Sequence, residues 1–223
     1  MLTCYITDRT QFPGSEAARQ ERLLRTIAGA CAAGVDYIQL REKDLDTREL
    51  EHLAVEALRI ARYEGTSRLL INHRTDIAVA IGADGVHLTG HDVVPPDARE
   101  AATALSGGRF IVSVACHSYD EVRRAEASGA DFALLAPIFQ KPGTPSAALG
   151  LNALRDATRP STAADTAQEK PRSRRGFPVF ALGGVDESNM ASCAAAGAAG
   201  VAGIRLFQQA QDLHNLVQRL RAI

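Results

Sequence analysis

Short apolar runs alternate along this chain with longer stretches of helical period, and one phrase marks the joints. It occurs as Ala33-Gly34-Val35-Asp36-Tyr37-Ile38, Ile81-Gly82-Ala83-Asp84-Gly85-Val86, Ser128-Gly129-Ala130-Asp131-Phe132-Ala133 and Ala196-Gly197-Ala198-Ala199-Gly200-Val201. Each reads as a helix stop feeding a strand. The glycine supplies the left-handed conformation that ends a helix, and the apolar residues after it suit a parallel strand covered on both faces. Helix starts are also legible: Asp46 with Glu49 and Ser118 with Glu121 have capping-box spacing. Leu50, Leu53, Ala54, Ala57, Leu58 and Ala61 then make one apolar helix face, and Leu213, Leu216, Val217, Leu220 and Ile223 make another at the end of the chain.

This pattern predicts strands near 3–7, 35–40, 68–72, 84–88, 110–115, 131–135, 178–182 and 200–204, each followed by a helix or helical turn. Eight β and α units in alternation predict an α/β fold, a closed (β/α)8 TIM barrel formed as a single domain over 1–223. The competing fold is an open doubly wound sheet. Against it, the first strand-helix turn has no G-x-G-x-x-G, and the paired glycines come late, near the seventh and eighth strands. The stretch 159–176 is rich in Pro, Ser, Ala and charge and lacks an apolar period, so it is expected to be a flexible insert before the seventh strand, on the bottom face. Its Arg172, Arg174 and Arg175 read more readily as a solvated loop than as a partner site.

Composition narrows the ligand. The 223 residues carry a net charge of -1, no Trp, and basic residues scattered along the chain, which argues against nucleic acid or a membrane surface as partner. Cys4, Cys31, Cys116 and Cys193 show no metal-type pairing, so buried, reduced thiols are expected. The chain opens into Leu2-Thr3-Cys4-Tyr5-Ile6 without a signal-like n-region and h-region, which predicts a cytoplasmic protein. Homo-oligomerisation is left open.

On a barrel the chemistry collects at the C-terminal strand ends. The second strand ends in Gln39-Leu40-Arg41-Glu42-Lys43, where alternation sends Gln39 and Arg41 to one side and Lys43 follows in the loop. That is a grip for an anion. The third strand ends in Asn72, His73 and Arg74, the fourth in Thr89, His91 and Asp92, and Gln140, Lys141, Gly143 and Thr144 follow the sixth. Asp92 is a candidate ligand for a divalent cation bridging to phosphate oxygens. Gly183 and Gly184 at the seventh strand, with Gly203, Ile204 and Arg205 at the eighth, suit a phosphate held by backbone N–H groups and a helix N-terminus. The plainer reading of these glycines is tight turns. His73, His87, His91 and His117 are each as well explained by structural roles as by proton transfer.

Taken together, Tyr5-Ile6-Thr7-Asp8, Gln39 to Lys43, Ile71-Asn72-His73-Arg74, Asp84-Gly85-Val86-His87-Leu88 with Asp92, Ala136-Pro137-Ile138-Phe139 and Ala181-Leu182-Gly183-Gly184-Val185 resemble thiamine phosphate synthase and its TenI-like relatives. The resemblance implies a TIM-barrel transferase of thiamine biosynthesis. It would join 4-amino-2-methyl-5-pyrimidinylmethyl diphosphate to a thiazole (carboxythiazole) phosphate with release of pyrophosphate, using Mg2+. It further implies that Gln39, Arg41, Lys43 and Asn72 hold the pyrimidine diphosphate, with Arg41 and Lys43 stabilising the leaving group. Asp92 would be a metal ligand, and Gly184 and Ile204 would cradle the thiazole phosphate.

The chain departs from the family pattern at several of these places. His73 stands where the family usually has Asp, and as the second metal position it favours Mn2+, Fe2+ or Zn2+ over Mg2+. Ala115 replaces a Ser, Lys141-Pro142-Gly143-Thr144 replaces Thr-x-Thr-Lys, and Arg205 replaces a small Ser beside the thiazole phosphate. Two other functions therefore stand beside the synthase. One is a TenI-like thiazole tautomerase, an isomerase whose usual proton-transferring His is Pro137 here; the other is a non-catalytic binder of a phosphorylated metabolite.

Overall fold

The computed structural model describes residues 1–90, 92–106, 109–140, 147–160 and 176–223. Eight parallel strands, β1 (Leu2–Ile6), β2 (Tyr37–Leu40), β3 (Arg68–Asn72), β4 (Gly85–Leu88), β5 (Ile111–Cys116), β6 (Phe132–Leu135), β7 (Val179–Leu182) and β8 (Gly200–Gly203), close into a barrel in chain order. Between and after them run α1 (Glu16–Ala32), α2 (Thr47–Glu64), α3 (Thr75–Ala80), α4 (Pro95–Ser106), α5 (Tyr119–Ala127), α6 (Gly150–Thr158), α7 (Met190–Ala195), α8 (Arg205–Gln208) and α9 (Leu213–Ala222). The expected (β/α)8 topology is present, and the open sheet is excluded by the pairing of β1 with β8. Among the described residues no helix is long and apolar enough to cross a membrane.

The four repeated phrases are Schellman motifs. Gly34, Gly82, Gly129 and Gly197 have φ of 82°, 68°, 81° and 90°. The next residue's N–H reaches back to the helix each time: Val35 to Ala30 O, Ala83 to Ala78 O, Ala130 to Ala125 O and Ala198 to Cys193 O. This is why β2 starts at Tyr37 and not at Val35 as expected, since Val35 belongs to the helix cap.

The Asp of the phrase has a separate task. Asp36 Oδ2 accepts from the Thr3 N–H and hydroxyl, each at 2.8 Å; Asp84 Oδ2 accepts from the Leu69 N–H at 2.9 Å, and Asp131 Oδ2 from the Val112 N–H at 2.8 Å. Each carboxylate fastens the start of its own strand to the preceding strand at the bottom of the barrel. The fourth phrase has Ala199 in that position.

Packing follows the expected faces. Leu50, Leu53, Ala54, Ala57, Leu58 and Ala61 of α2 are all buried, and Asp46 with Glu49 forms the reciprocal capping box. Ser118 caps α5, but the Glu121 carboxylate accepts from the His117 N–H, so the box is half formed. In α9, Leu216, Val217 and Leu220 are buried while Ile223 is 46% exposed, because the helix ends before it. Inside the barrel, Tyr37, Phe132 and Phe180 stack with centroids 4.7–6.0 Å apart, filling the lower interior and leaving the mouth to other side chains. All four cysteines are buried and free, and burial raises each thiol pKa, that of Cys193 to about 11. The insert expected over 159–176 lies, for 161–175, outside the described residues.

Candidate active site

Four consecutive strands send polar side chains into the upper barrel. Asn72 pairs in register with His87, and His87 with Ser113, while Gln39 Nε2 donates to Asn72 Oδ1 at 2.8 Å. His87 Nδ1 lies 2.9 Å from Ser113 Oγ. Burial pushes the His87 pKa down to about 4, against the pull of Asp92 and with a push from Arg41, so the ring is neutral at pH 7. Gln39 is only 2% exposed, yet its Oε1 has no partner. A buried amide oxygen without a donor costs roughly 1–3 kcal/mol, which a ligand N–H would relieve.

Above this row sits the loop after β2. The Arg41 guanidinium is half-buried and the Lys43 ammonium exposed, and neither makes an ion pair or hydrogen bond with another described residue. Glu42 between them turns the other way. Its fully buried carboxylate accepts from the Thr7 hydroxyl at 2.5 Å and from Arg9 N and Nη1 at 2.9 and 3.1 Å. Burial drives the Glu42 pKa up while those donors pull it down, leaving it raised. Arg9 in turn binds Glu16 and Asp44, so one buried guanidinium serves three carboxylates. Thr7 Oγ1 also accepts from Arg41 N at 2.9 Å. The path from Arg9 through Glu42 and Thr7 therefore fixes the backbone that carries both free cations.

His73 follows β3 with a φ of 67°, the one non-glycine residue with positive φ among those described. Its N–H donates to His87 O at 2.8 Å, and its Nδ1 meets Asp92 Oδ1. Asp92 is nearly buried, and its Oδ2 accepts from Thr89 N and Oγ1 at 2.6 and 2.9 Å. The two expected metal ligands thus bind each other. Among the described residues, no group of three His, Cys, Asp or Glu side chains suited to a metal is present.

The β7–β8 side is built from backbone. Gly183 and Gly184 have φ of 90° and 68°, and a Cβ at either would lie 2.8 Å from Pro137 or Phe139. Phe139 N donates to Gly183 O and Ile138 N to Leu182 O, so the loop after β6 lies directly on these glycines. They have the turn role weighed against phosphate binding, and the N–H of Gly184 still has no acceptor among the described residues. Gly203 is buried, Ile204 half-buried, and Arg205 exposed and unpaired among the described residues. The helix expected to add positive potential there is α8, a single turn whose N-cap Ile204 makes no side-chain bond, so its dipole is small. His117, beside this wall, directs Nδ1 to Ala136 O at 2.9 Å. Lys141, Gly143, Thr144 and His91 lie outside the described residues.

Sequence reasoning missed Thr7, Arg9 and Glu42. Glu42 lies within the very run singled out, but its partners are over 30 residues away, beyond the reach of local periodicity.

A family model for thiamine monophosphate synthase matches residues 4–207. The chain belongs to the thiamine monophosphate synthase family. Within it, the chain is 43% identical to a putative thiamine-phosphate synthase of Geobacter sulfurreducens over 86% of its length and 79% of that protein's. It is 34% identical to the thiamine-phosphate synthase of Moorella thermoacetica, over 90% and 87% of the two chains. The solved thiamine phosphate pyrophosphorylase of Pyrococcus furiosus superposes with a TM-score of 0.75 at 25% identity, covering 99% of this chain and 94% of that one. As a thiamine monophosphate synthase family member, the chain is an enzyme of the transferase class that the resemblance implied.

Proposed function

We propose that this protein joins a pyrimidinylmethyl diphosphate to a thiazole phosphate, giving thiamine phosphate and pyrophosphate. The observation that carries the reading is the buried Oε1 of Gln39, which lies beneath Arg41 and Lys43, all three without partners among the described residues. An aminopyrimidine offers the amine N–H that Gln39 lacks, and its diphosphate offers the anion that Arg41 and Lys43 lack. Asn72, held by Gln39, keeps its amide nitrogen for the same ring.

The reaction asks for little covalent help. The methylene C–O bond breaks, its electron pair leaves with pyrophosphate, and a cation is left on the pyrimidine methylene. Arg41 and Lys43 stabilise the departing charge, an effect that grows toward the transition state and so lowers the barrier. The thiazole nitrogen then donates its lone pair to that carbon, forming the new C–N bond. The thiazole phosphate is assigned to the Gly184 and Ile204 wall, with Arg205 at its rim; Lys141, Gly143 and Thr144, expected as further contacts, lie outside the described residues. Small phosphorylated molecules are then the partners of this site.

The resemblance also implies Mg2+, and the residues at hand do not fit it. Mg2+ demands oxygen ligands in near-octahedral array, whereas the residue facing Asp92 is an imidazole and Asp92 Oδ2 already accepts twice from Thr89. The steps above use protein groups alone. A tautomerase reading is disfavoured because Pro137 has no titratable group. The test mixes purified protein with both substrates in Mg2+, Mn2+ or EDTA and measures thiamine phosphate and pyrophosphate. Equal amounts of both products are expected, and no product under any condition would overturn the proposal.

A further inference from the structure

The first and last strands meet where the barrel closes, and one side chain fastens their upper ends. Gln208 ends α8, the turn that follows the β8 wall. Its Oε1 accepts from the Asp8 N–H at 2.9 Å and from the Tyr5 hydroxyl at 3.1 Å, while its Nε2 donates to Asp8 O at 3.1 Å. Turning the amide over would set donor against donor and oxygen against oxygen, so its orientation is fixed by its partners. One primary amide thus holds both main-chain groups of a loop residue 200 positions away. The joint is backed by core: Tyr5 and Phe207 are buried, with ring centroids 5.9 Å apart.

Asp8 is the middle of a three-residue bracket. On one side Thr7 N donates to Gln39 O, Thr7 Oγ1 accepts from Arg41 N and Arg9 N donates to Glu42 Oε2, each at 2.9 Å. Those contacts hold the run that carries the cations. On the other side Gln208 holds Asp8, and the Gln208 N–H donates to Ile204 O at 2.9 Å. Hydrogen bonds therefore lead from the β8 wall through Gln208 and the bracket to the loop after β2. We propose that Gln208 is a positioning residue that sets the cation grip of β2 at a fixed distance from the β8 wall. The inference rests on the two-substrate reading above, and it gives Gln208 no contact with either substrate. Two reactants held by separate walls lose about 10²-fold in rate when one is misplaced by 1 Å, although each still binds its own wall. Loss of Gln208 therefore acts on kcat, whereas Thr7 ties the bracket to the grip itself.

Gln208→Met keeps the side-chain length and removes all three bonds, and Gln208→Glu keeps the accepted pair and loses the donated one. Thr158→Val is the control, since it deletes a hydroxyl bond to Ala196 O of 3.0 Å at the far end of the barrel. In steady-state assays Gln208→Met is expected to lower kcat about tenfold, with KM for each substrate within about threefold of wild type. Gln208→Glu should fall between, and Thr158→Val should leave kcat unchanged; if the Met variant does not fold, the Glu variant carries both readouts. The second readout needs no turnover. Thiamine phosphate spans both walls and inorganic pyrophosphate only one, so isothermal titration should show Gln208→Met weakening the first about tenfold and the second less than about threefold. Unaltered kcat and thiamine phosphate affinity, equal weakening of the two ligands, or the same losses in Thr158→Val would overturn the inference. A wild-type protein that binds thiamine phosphate without forming it, with the expected weakening in Gln208→Met, defeats the synthase reading alone. One that neither forms nor binds it defeats both.

Discussion

The two sides of the barrel mouth solve the same problem by opposite means. From β2 to β4 the wall is made of side chains: Gln39, Arg41, Lys43, Asn72, His73 and Asp92, with buried hydrogen bonds behind them. From β7 to β8 it is made of backbone, with Gly183 and Gly184 pressed against Pro137 and Phe139. Side chains bring full charge and must be oriented by further residues, hence the chain of Arg9, Glu42 and Thr7. Backbone N–H groups bring partial charge and need only room, hence glycine. A site that handled a diphosphate leaving group on one side and a monophosphate on the other would suit this division, because of the two phosphate groups only the leaving group gains negative charge during the reaction.

The comparison can be broken from either side. Arg41→Ala removes a full charge at the leaving group and is expected to lower kcat by about 10²–10³-fold, some 3–4 kcal/mol, with thermal stability little changed. Unaltered kcat would place the leaving group elsewhere. The polar row should also report on pH. Because the pKa of folded His87 is near 4 and that of the unfolded side chain about 6.5, the unfolded state binds the proton first as pH falls. Its contribution, about 3 kcal/mol from the size of that shift, is complete above pH 6.5 and is lost progressively down to about pH 4. Urea unfolding at pH 7, 5.5 and 4.5 should show this loss, and His87→Gln should flatten it. On the backbone side, Gly184→Ala meets Phe139 and an adverse φ, and should destabilise by about 2–3 kcal/mol in the same assay. The smallest effect belongs to Thr7. Thr7→Val leaves Glu42 and Arg41 N short of a partner and should cost about 1–2 kcal/mol and raise KM for the diphosphate substrate, with Thr7→Ser restoring both.

How much of this was legible in the sequence depends on distance along the chain. Gly34, Gly82, Gly129 and Gly197 announced helix ends because the bonds they allow close within six residues, and the eight strands and the barrel followed. That Gln39, Arg41 and Lys43 gather at one strand end was legible because alternation is local. What lay hidden is non-local. Glu42 looked like a neighbour of two cations and is instead bound to Arg9, and Asp92 and His73 looked like two metal ligands and instead bind each other. The glycines of β7 were readable as small, but the reason, Pro137 and Phe139 lying upon them, is a contact between strands more than 40 residues apart.

The Asp residues at the bottom of the barrel have one consequence for motion. They rivet β1 to β2, β3 to β4 and β5 to β6, whereas Ala199 leaves the β7–β8 seam to main-chain bonds alone. A closed ring breathes at its weakest joint. Amide exchange should therefore be faster across the β7–β8 seam than across the three riveted ones. The half of the mouth that grips with side chains would stay rigid while the half made of backbone yields, giving a bulky product a way out that leaves the cation grip undisturbed.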